Sequence, residues 1–337
     1  MKWRGWISLF ISLSAFGGTS SPHRSAAVAQ VDHGEFLLKK STFNGTLSLG
    51  TVFDSNRPWY SDANEFGQGK PRLAFGPTLG LKLTAQTRND RKVQWRADYS
   101  TLLPYYLDEA LSTYENFTHD LSLYLNVNPR GLTRYGLKIY SSAWFQNLGS
   151  RISDRFYYSP SSLKVEMRPY LQSRIVGRLY FKVEGALGYN RSFADLETVS
   201  RDFLGSGLYL GGQVSLLQLS GSRFWKPSTY IKIEDMRAQG VFNANQVVEW
   251  NINNVIQLTP SFSLTPGFTY SFVRYDQIQP DQRIDDIYYT NLQFFLAPSI
   301  KWNLGGAIGY KARNASLQPE IYTYDQWIGN LTLGIPF

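Results

Sequence analysis

The sequence predicts an all-β chain closed into an antiparallel transmembrane β-barrel of about fourteen strands. Three observations carry that prediction. From Phe43 onward apolar residues recur at every second position, the period of an extended strand with one greasy face. The connections between these runs alternate between short and long. The runs are about ten residues each, enough for a tilted strand to cross a bilayer, and no other stretch reaches the ~18 apolar residues of a spanning helix.

Composition supports this reading. Of 337 residues, 18% are charged and 15% aromatic, and the charged share lies below the quarter or so usual in soluble domains. There is no cysteine, which excludes disulfides, metal–thiolate centres and an acylated amino-terminal cysteine. Mean hydropathy is slightly negative. That argues against a helical membrane protein but suits a barrel, whose inner face is polar.

The opening residues carry Lys2 and Arg4, an apolar run from Trp6 to Phe16, and a small-residue stretch ending Ala27-Val28-Ala29. Positions 1–29 therefore read as a secretory signal peptide. The other reading, a membrane anchor, meets an apolar run too short to span. Positions 30–42 are expected as a periplasmic tail and 43–337 as the barrel. Losing Lys2, Arg4 and Arg24 with the leader still leaves a basic chain.

The runs follow in order. Phe43, Leu47, Leu49, Thr51 and Phe53 make the first, and Leu73, Phe75, Pro77, Leu79, Leu81, Leu83 and Ala85 the second. Val93 to Leu103 alternates against Gln94, Arg96, Asp98 and Ser100; Phe117 to Val127 and Tyr135 to Phe145 continue the pattern. The sixth sets Leu163, Val165, Met167, Leu171 and Ile175 against Lys164, Glu166, Arg168, Gln172 and Arg174, and helical spacing fails there. Leu179 to Tyr189, Leu208 to Leu216, and Thr229 to Ile233 give the seventh to ninth. Val248 to Leu264, Phe268 to Phe272, Tyr288 to Trp302 and Ile308 to Ala312 give the next four, and Trp327 to Phe337 the last.

Short connections are expected at Asn89-Asp90-Arg91, Pro129-Arg130-Gly131, Val176-Gly177, Ser220-Gly221-Ser222, Thr265-Pro266-Gly267 and Leu304-Gly305, with longer ones after the odd-numbered runs. Short periplasmic turns and long outer loops are the pattern of an outer-membrane barrel. A soluble sandwich shows the same alternation, but so many strands without a second domain favour closure, since bare sheet edges do not persist in lipid. Pro77, Pro169, Pro260 and Pro298 all fall on the apolar face. Lacking a ladder donor, they mark either bulges that bend the wall or strands that end earlier than the period suggests.

The last run stops at an aromatic residue, with Trp327, Leu331, Leu333, Ile335 and Phe337 on one face. It resembles the closing strand of bacterial outer-membrane β-barrels, departing from it in Pro336 and in Ile335 where a second aromatic is common. The resemblance implies an outer membrane of a Gram-negative cell, surrounding lipid, and a barrel-assembly machinery that reads those five residues. Leu49-Gly50-Thr51-Val52-Phe53-Asp54-Ser55-Asn56 is similar to the end of the first strand in putative-porin barrels and in the barrel half of surface-lipoprotein export modifiers. The same residues also read as a plain polar turn.

Catalytic chemistry finds little support. Lipid-cleaving outer-membrane barrels resemble one another in a His and a Ser two apart on one strand, whereas Leu121 follows His119 and Glu35 follows His33 at that spacing. Alternation puts His119 and Asp120 on opposite faces, so no enzyme is expected. Asp281, Asp285 and Asp286 are either a calcium-binding set or a solvated loop. Trp59-Tyr60, Tyr105-Tyr106, Tyr157-Tyr158 and Tyr288-Tyr289 suit interfacial girdles, with carbohydrate stacking as the alternative. No metal or cofactor is implied, and basic residues are too dispersed for nucleic acid.

The face opposite the apolar one carries Lys82, Arg96, Asp98, Lys138, Lys164, Glu166, Arg168, Arg174, Lys182, Glu184, Lys232 and Glu234. Charges inside such a wall persist where water or opposite charges meet them, and Arg168 is expected to reach Glu184. Cations predominate, so a hydrated lumen passing small hydrophilic solutes with mild anion preference is the expected function. The rival is a non-conducting barrel that anchors or exports another component; a homo-oligomer or an envelope partner fits either.

Overall fold

A computed structural model describes residues 41–57, 72–87, 93–108, 111, 115–127, 132–147, 158–193, 206–218, 225–238, 244–275, 282–317 and 323–337. The signal-peptide reading of 1–29 and most of the expected tail lie outside the described residues. Fourteen strands follow one another: β1 (Ser41–Arg57), β2 (Arg72–Thr87), β3 (Val93–Pro104), β4 (Asn116–Val127), β5 (Thr133–Asn147), β6 (Tyr158–Val176) and β7 (Leu179–Ser192). Then come β8 (Gly207–Gln218), β9 (Trp225–Ala238), β10 (Asn245–Thr259), β11 (Phe262–Tyr275), β12 (Arg283–Leu296), β13 (Asn303–Ala315) and β14 (Tyr324–Pro336). Each pairs antiparallel with its sequence neighbours, and β14 returns to β1 to close the cylinder. Closure gives every strand two partners, the condition under which a sheet survives in hydrocarbon.

The seam fixes the two ends of the barrel against each other. Leu49 faces Leu333 and Thr51 faces Leu331 across it. At its foot the Gly45 amide donates to the Phe337 carbonyl (3.1 Å), and the Phe337 amide donates back to Gly45 (3.3 Å). The Phe337 ring lies in the space a side chain at Gly45 would fill. Glycine is required there by close approach.

Alternation then sorts the side chains. Leu49, Leu79, Leu123, Val165, Leu187, Val214, Ile233, Trp250, Leu292, Ile308 and Leu331 are exposed on the outer face. Ser48, Thr78, Ser122, Ser142, Glu166, Glu184, Ser215, Glu249, Thr265 and Thr332, at the intervening positions, are buried inside. The centre is therefore polar, the inverse of a soluble sandwich. Apolar residues inside gather in two small groups, both at the long-loop end. Leu111 and Tyr106, beyond β3, pack on Ala74 and Val52. Leu317, beyond β13, packs with Val273, Tyr275, Val247 and Ile287.

Several boundaries differ from the alternation. The β10–β11 turn is Pro260-Ser261, so Thr265-Pro266-Gly267 lies within β11, and Gly305 lies within β13 rather than in a turn. Pro260 and Pro298 sit between strands. Pro77 and Pro169 sit within β2 and β6 without shifting register: Thr51 faces Pro77 in an unbroken ladder. The β6–β7 ladder omits Arg168 and Pro169, then resumes unchanged at Tyr170 and Glu184. The bulge reading thus fails at Pro77, Pro169 and Pro298; beside Pro260 the ladder does shift register, between Gln257 and Thr259, and the early ending holds at Pro260 and Pro298. The β6–β7 turn is tight because Gly177 adopts φ +54°, a conformation that costs other residues about 1–2 kcal/mol.

Candidate functional site

The inner wall between β6 and β10 carries one continuous ionic network. It is built from the same tripeptide pattern on three strands: Lys164-Val165-Glu166 on β6, Lys182-Val183-Glu184 on β7 and Lys232-Ile233-Glu234 on β9. The middle residue faces lipid, while the flanking lysine and glutamate, two apart and on the same face, meet as an ion pair. Lys164 lies 3.0 Å from Glu166 and Lys232 lies 3.2 Å from Glu234; Lys182 pairs with Glu184.

Arg168 clips the three patterns together. Its guanidinium pairs with Glu166, lies 3.3 Å from Glu184 and 3.6 Å from Glu234, and donates to the Tyr209 hydroxyl (3.2 Å). Tyr209 in turn donates to Glu234. Lys232 also reaches Glu249 on β10 (3.4 Å), and Glu249 accepts from Tyr230 (2.6 Å) and Ser271 (3.3 Å). Glutamates this deeply buried persist because each meets a cation and further donors.

The wall from β2 to β5 is sparser. Arg96 lies 2.8 Å from Asp98, which also accepts from Thr84 (2.7 Å). Asp120 accepts from Tyr140 (2.6 Å). Lys138 has its ammonium 5.5 Å from the Tyr124 ring centre and 5.2 Å from that of Tyr140. Lys82, on the inner face of β2, stands opposite Thr46 and Ser100. Arg174 is exposed at the short-turn end of β6, at a register shift. It belongs to the rim and does not join the mid-lumen charges.

At the long-loop end a second cluster is fixed by Asp285. It accepts two hydrogen bonds from Arg283 (2.9 Å each) and one from Arg313 Nε (3.0 Å), with Arg313 Nη2 also bonded. Asp285 points inward in β12, whereas Asp286 points outward and accepts from Tyr270 (2.5 Å). Opposite faces of one strand cannot share an ion, so these two do not form the calcium set; Asp281 is outside the described residues. Among the described residues no group of three metal-ligating side chains occurs.

The aromatic pairs divide likewise. Tyr288 is exposed outside while the next residue, Tyr289, faces inward, and Tyr106 is buried. Trp59-Tyr60 and Tyr157 lie outside the described residues. His119 faces outward, its Nδ1 2.7 Å from the Tyr99 hydroxyl, between the Phe117 and Phe145 rings. Asp120 is inside, so the two do not meet.

Sequence reasoning missed Glu249, Tyr209, Tyr230 and Tyr140, and weighed Asp120 only as a partner of His119. Their signal was present, since Glu249 lies between the outward Val248 and Trp250, and Tyr209 between Leu208 and Leu210.

An outer face of leucine, valine and isoleucine around a charged, hydrogen-bonded interior belongs in a bilayer. The chain is a transmembrane β-barrel of the outer-membrane type. No protein-family model matches it, and no curated protein does. Among solved structures, it is similar to the outer membrane channel DcaP of Acinetobacter baumannii, over 88% of this chain and 97% of that one, with 13% identity and a TM-score of 0.48. It is similar to the anion-selective porin from Comamonas acidovorans over 88% and 99%, with 8% identity and a TM-score of 0.45. For Pseudomonas putida OprB the coverage is 88% and 94%, with 10% identity and a TM-score of 0.45. These values describe general barrel shape and carry no reading of the lumen.

Proposed function

We propose that the barrel is a passive channel for small hydrophilic solutes in the outer membrane, with a mild preference for anions. One observation carries the anion preference: most ion pairs of the wall present their cation to the lumen and keep their carboxylate beneath. Lys164 is 34% exposed and Glu166 1%; Arg96 is 33% exposed and Asp98 16%; Lys182 is 24% exposed and Glu184 10%. Lys232, about level with Glu234, is the exception. A solute in the lumen meets ammonium and guanidinium groups first, and the nearest charges dominate in a narrow hydrated passage.

Planar bilayers with a salt gradient test this. A reversal potential on the anion side is expected; cation selectivity, or no conductance at any voltage, refutes it. Packing of Leu111 and Leu317 on the inner wall narrows the long-loop mouth, and this favours the second reading, a non-conducting barrel that anchors or exports a partner. Liposomes that fail to swell in small sugars, with a partner retained through purification, decide for that alternative.

A further inference from the structure

The cross-strand register lines up cations on neighbouring strands of the inner wall. Arg96 on β3 stands opposite Tyr124 on β4, Tyr124 opposite Lys138 on β5, and Lys138 opposite Arg168 on β6. Directly opposed side chains are ~5 Å apart at Cβ, and like charges so placed repel. The wall offsets this repulsion unevenly. Arg168 is held among three glutamates and Arg96 by Asp98, but no carboxylate among the described residues lies within ion-pair distance of Lys138. The inward acid on β4, Asp120, lies four residues along from Tyr124, opposite Ser142, and is turned to the Tyr140 hydroxyl. Lys138 rests instead against the rings of Tyr124 and Tyr140. Lys82 on β2 has no ion-pair partner among the described residues either.

We infer that Lys138, with Arg96 across Tyr124 from it, is a saturable station for a small divalent oxyanion such as a phosphate or a dicarboxylate. The inference deepens the anion-channel reading and rests on it. A bound oxyanion supplies the missing countercharge between Lys138 and its like-charged neighbours, and its oxygens match ammonium, guanidinium and phenol donors at once. Chloride brings one charge and no oxygen array. The glutamate-rich wall beyond β6 offers no such place, because its cations are already paired.

The test uses the full barrel in two settings. In planar bilayers held at constant ionic strength with chloride, inorganic phosphate or succinate is titrated while single-channel current is recorded. A saturable fall in chloride current is expected. Lys138→Gln weakens the half-saturating concentration about tenfold, the worth of one charge-assisted contact. Lys138→Arg retains it, and Lys226→Gln, near the short-turn end, leaves it unchanged. In detergent, calorimetric titration of the same anions reads the site without requiring conductance. Saturable binding lost in Lys138→Gln there, in a barrel that does not conduct, keeps the station and fells the channel reading. Linear current with phosphate and no calorimetric binding, or binding indifferent to both Lys138→Gln and Arg96→Gln, overturns the station while leaving a general channel standing.

Discussion

Replacing Arg168 by methionine is the sharpest probe of the wall. The change keeps side-chain bulk and removes a guanidinium that touches Glu166, Glu184, Glu234 and Tyr209. Breaking a buried ion pair by deleting one partner costs about 3–5 kcal/mol when the other charge is stranded. Here no glutamate is stranded, because Lys164, Lys182 and Lys232 remain on their own strands. The loss is therefore closer to that of one or two charged hydrogen bonds, about 2–3 kcal/mol. Urea unfolding in lipid vesicles, followed by tryptophan fluorescence, measures it. The wall also loses one positive charge, so the reversal potential moves toward the cation side. Glu184→Gln on the Arg168→Met background is expected to cost less than on the native one, with coupling of about 0.5–3 kcal/mol. Destabilisation under about 0.5 kcal/mol, the range of an unremarkable surface change, with no coupling, refutes the clip.

Three further outcomes are expected. Val214 faces lipid and the preceding Gln213 faces the lumen beside Glu184 and Lys232; Val214→Arg costs about 2–4 kcal/mol in vesicle unfolding, whereas Gln213→Arg finds Glu184 and costs under about 1 kcal/mol. Phe337→Ala lowers the amount of assembled barrel in cell membranes, read by heat-shifted gel mobility, while refolding into detergent still proceeds; equal loss in both settings assigns Phe337 to seam stability instead of assembly. Gly177→Val, forced into the left-handed region, lowers stability by about 1–2 kcal/mol without altering ion selectivity.

The strand count was legible because lipid on one side and water on the other impose strict alternation on every strand. That same regularity hid some turns. Leu258 and Phe262 both face outward across the Pro260-Ser261 turn because the ladder shifts register between Gln257 and Thr259, restoring the parity that a two-residue turn reverses, so the period runs straight through it. Between β12 and β13 the last paired residues, Leu296 and Leu304, are separated by seven residues, which also keeps the parity, and this is why Pro298, Ile300 and Trp302 read as strand. Inside the lumen, alternation identified the face of Lys164, Glu166, Arg168, Lys182, Glu184, Lys232 and Glu234. It could not identify their network, because Arg168 reaches Glu234 three strands away through a curvature that no local pattern records. Tyr209 and Tyr230 were passed over because tyrosine suits either face, having an apolar ring and a polar tip. Asp285 and Asp286 were weighed as a calcium set or a solvated loop because the apolar period resumes only at Tyr288; Arg283 and Arg313 stabilise the first inside a strand.

The repeated lysine–glutamate pairing bears on the changing waters an envelope protein meets. Screening in physiological saline acts over about 8 Å, whereas Lys164 and Glu166 lie 3.0 Å apart. Dilution or brine will therefore alter how a distant ion is drawn toward the mouth, while partners in contact keep their hold. The paired wall thus keeps its arrangement in fresh water as in brine.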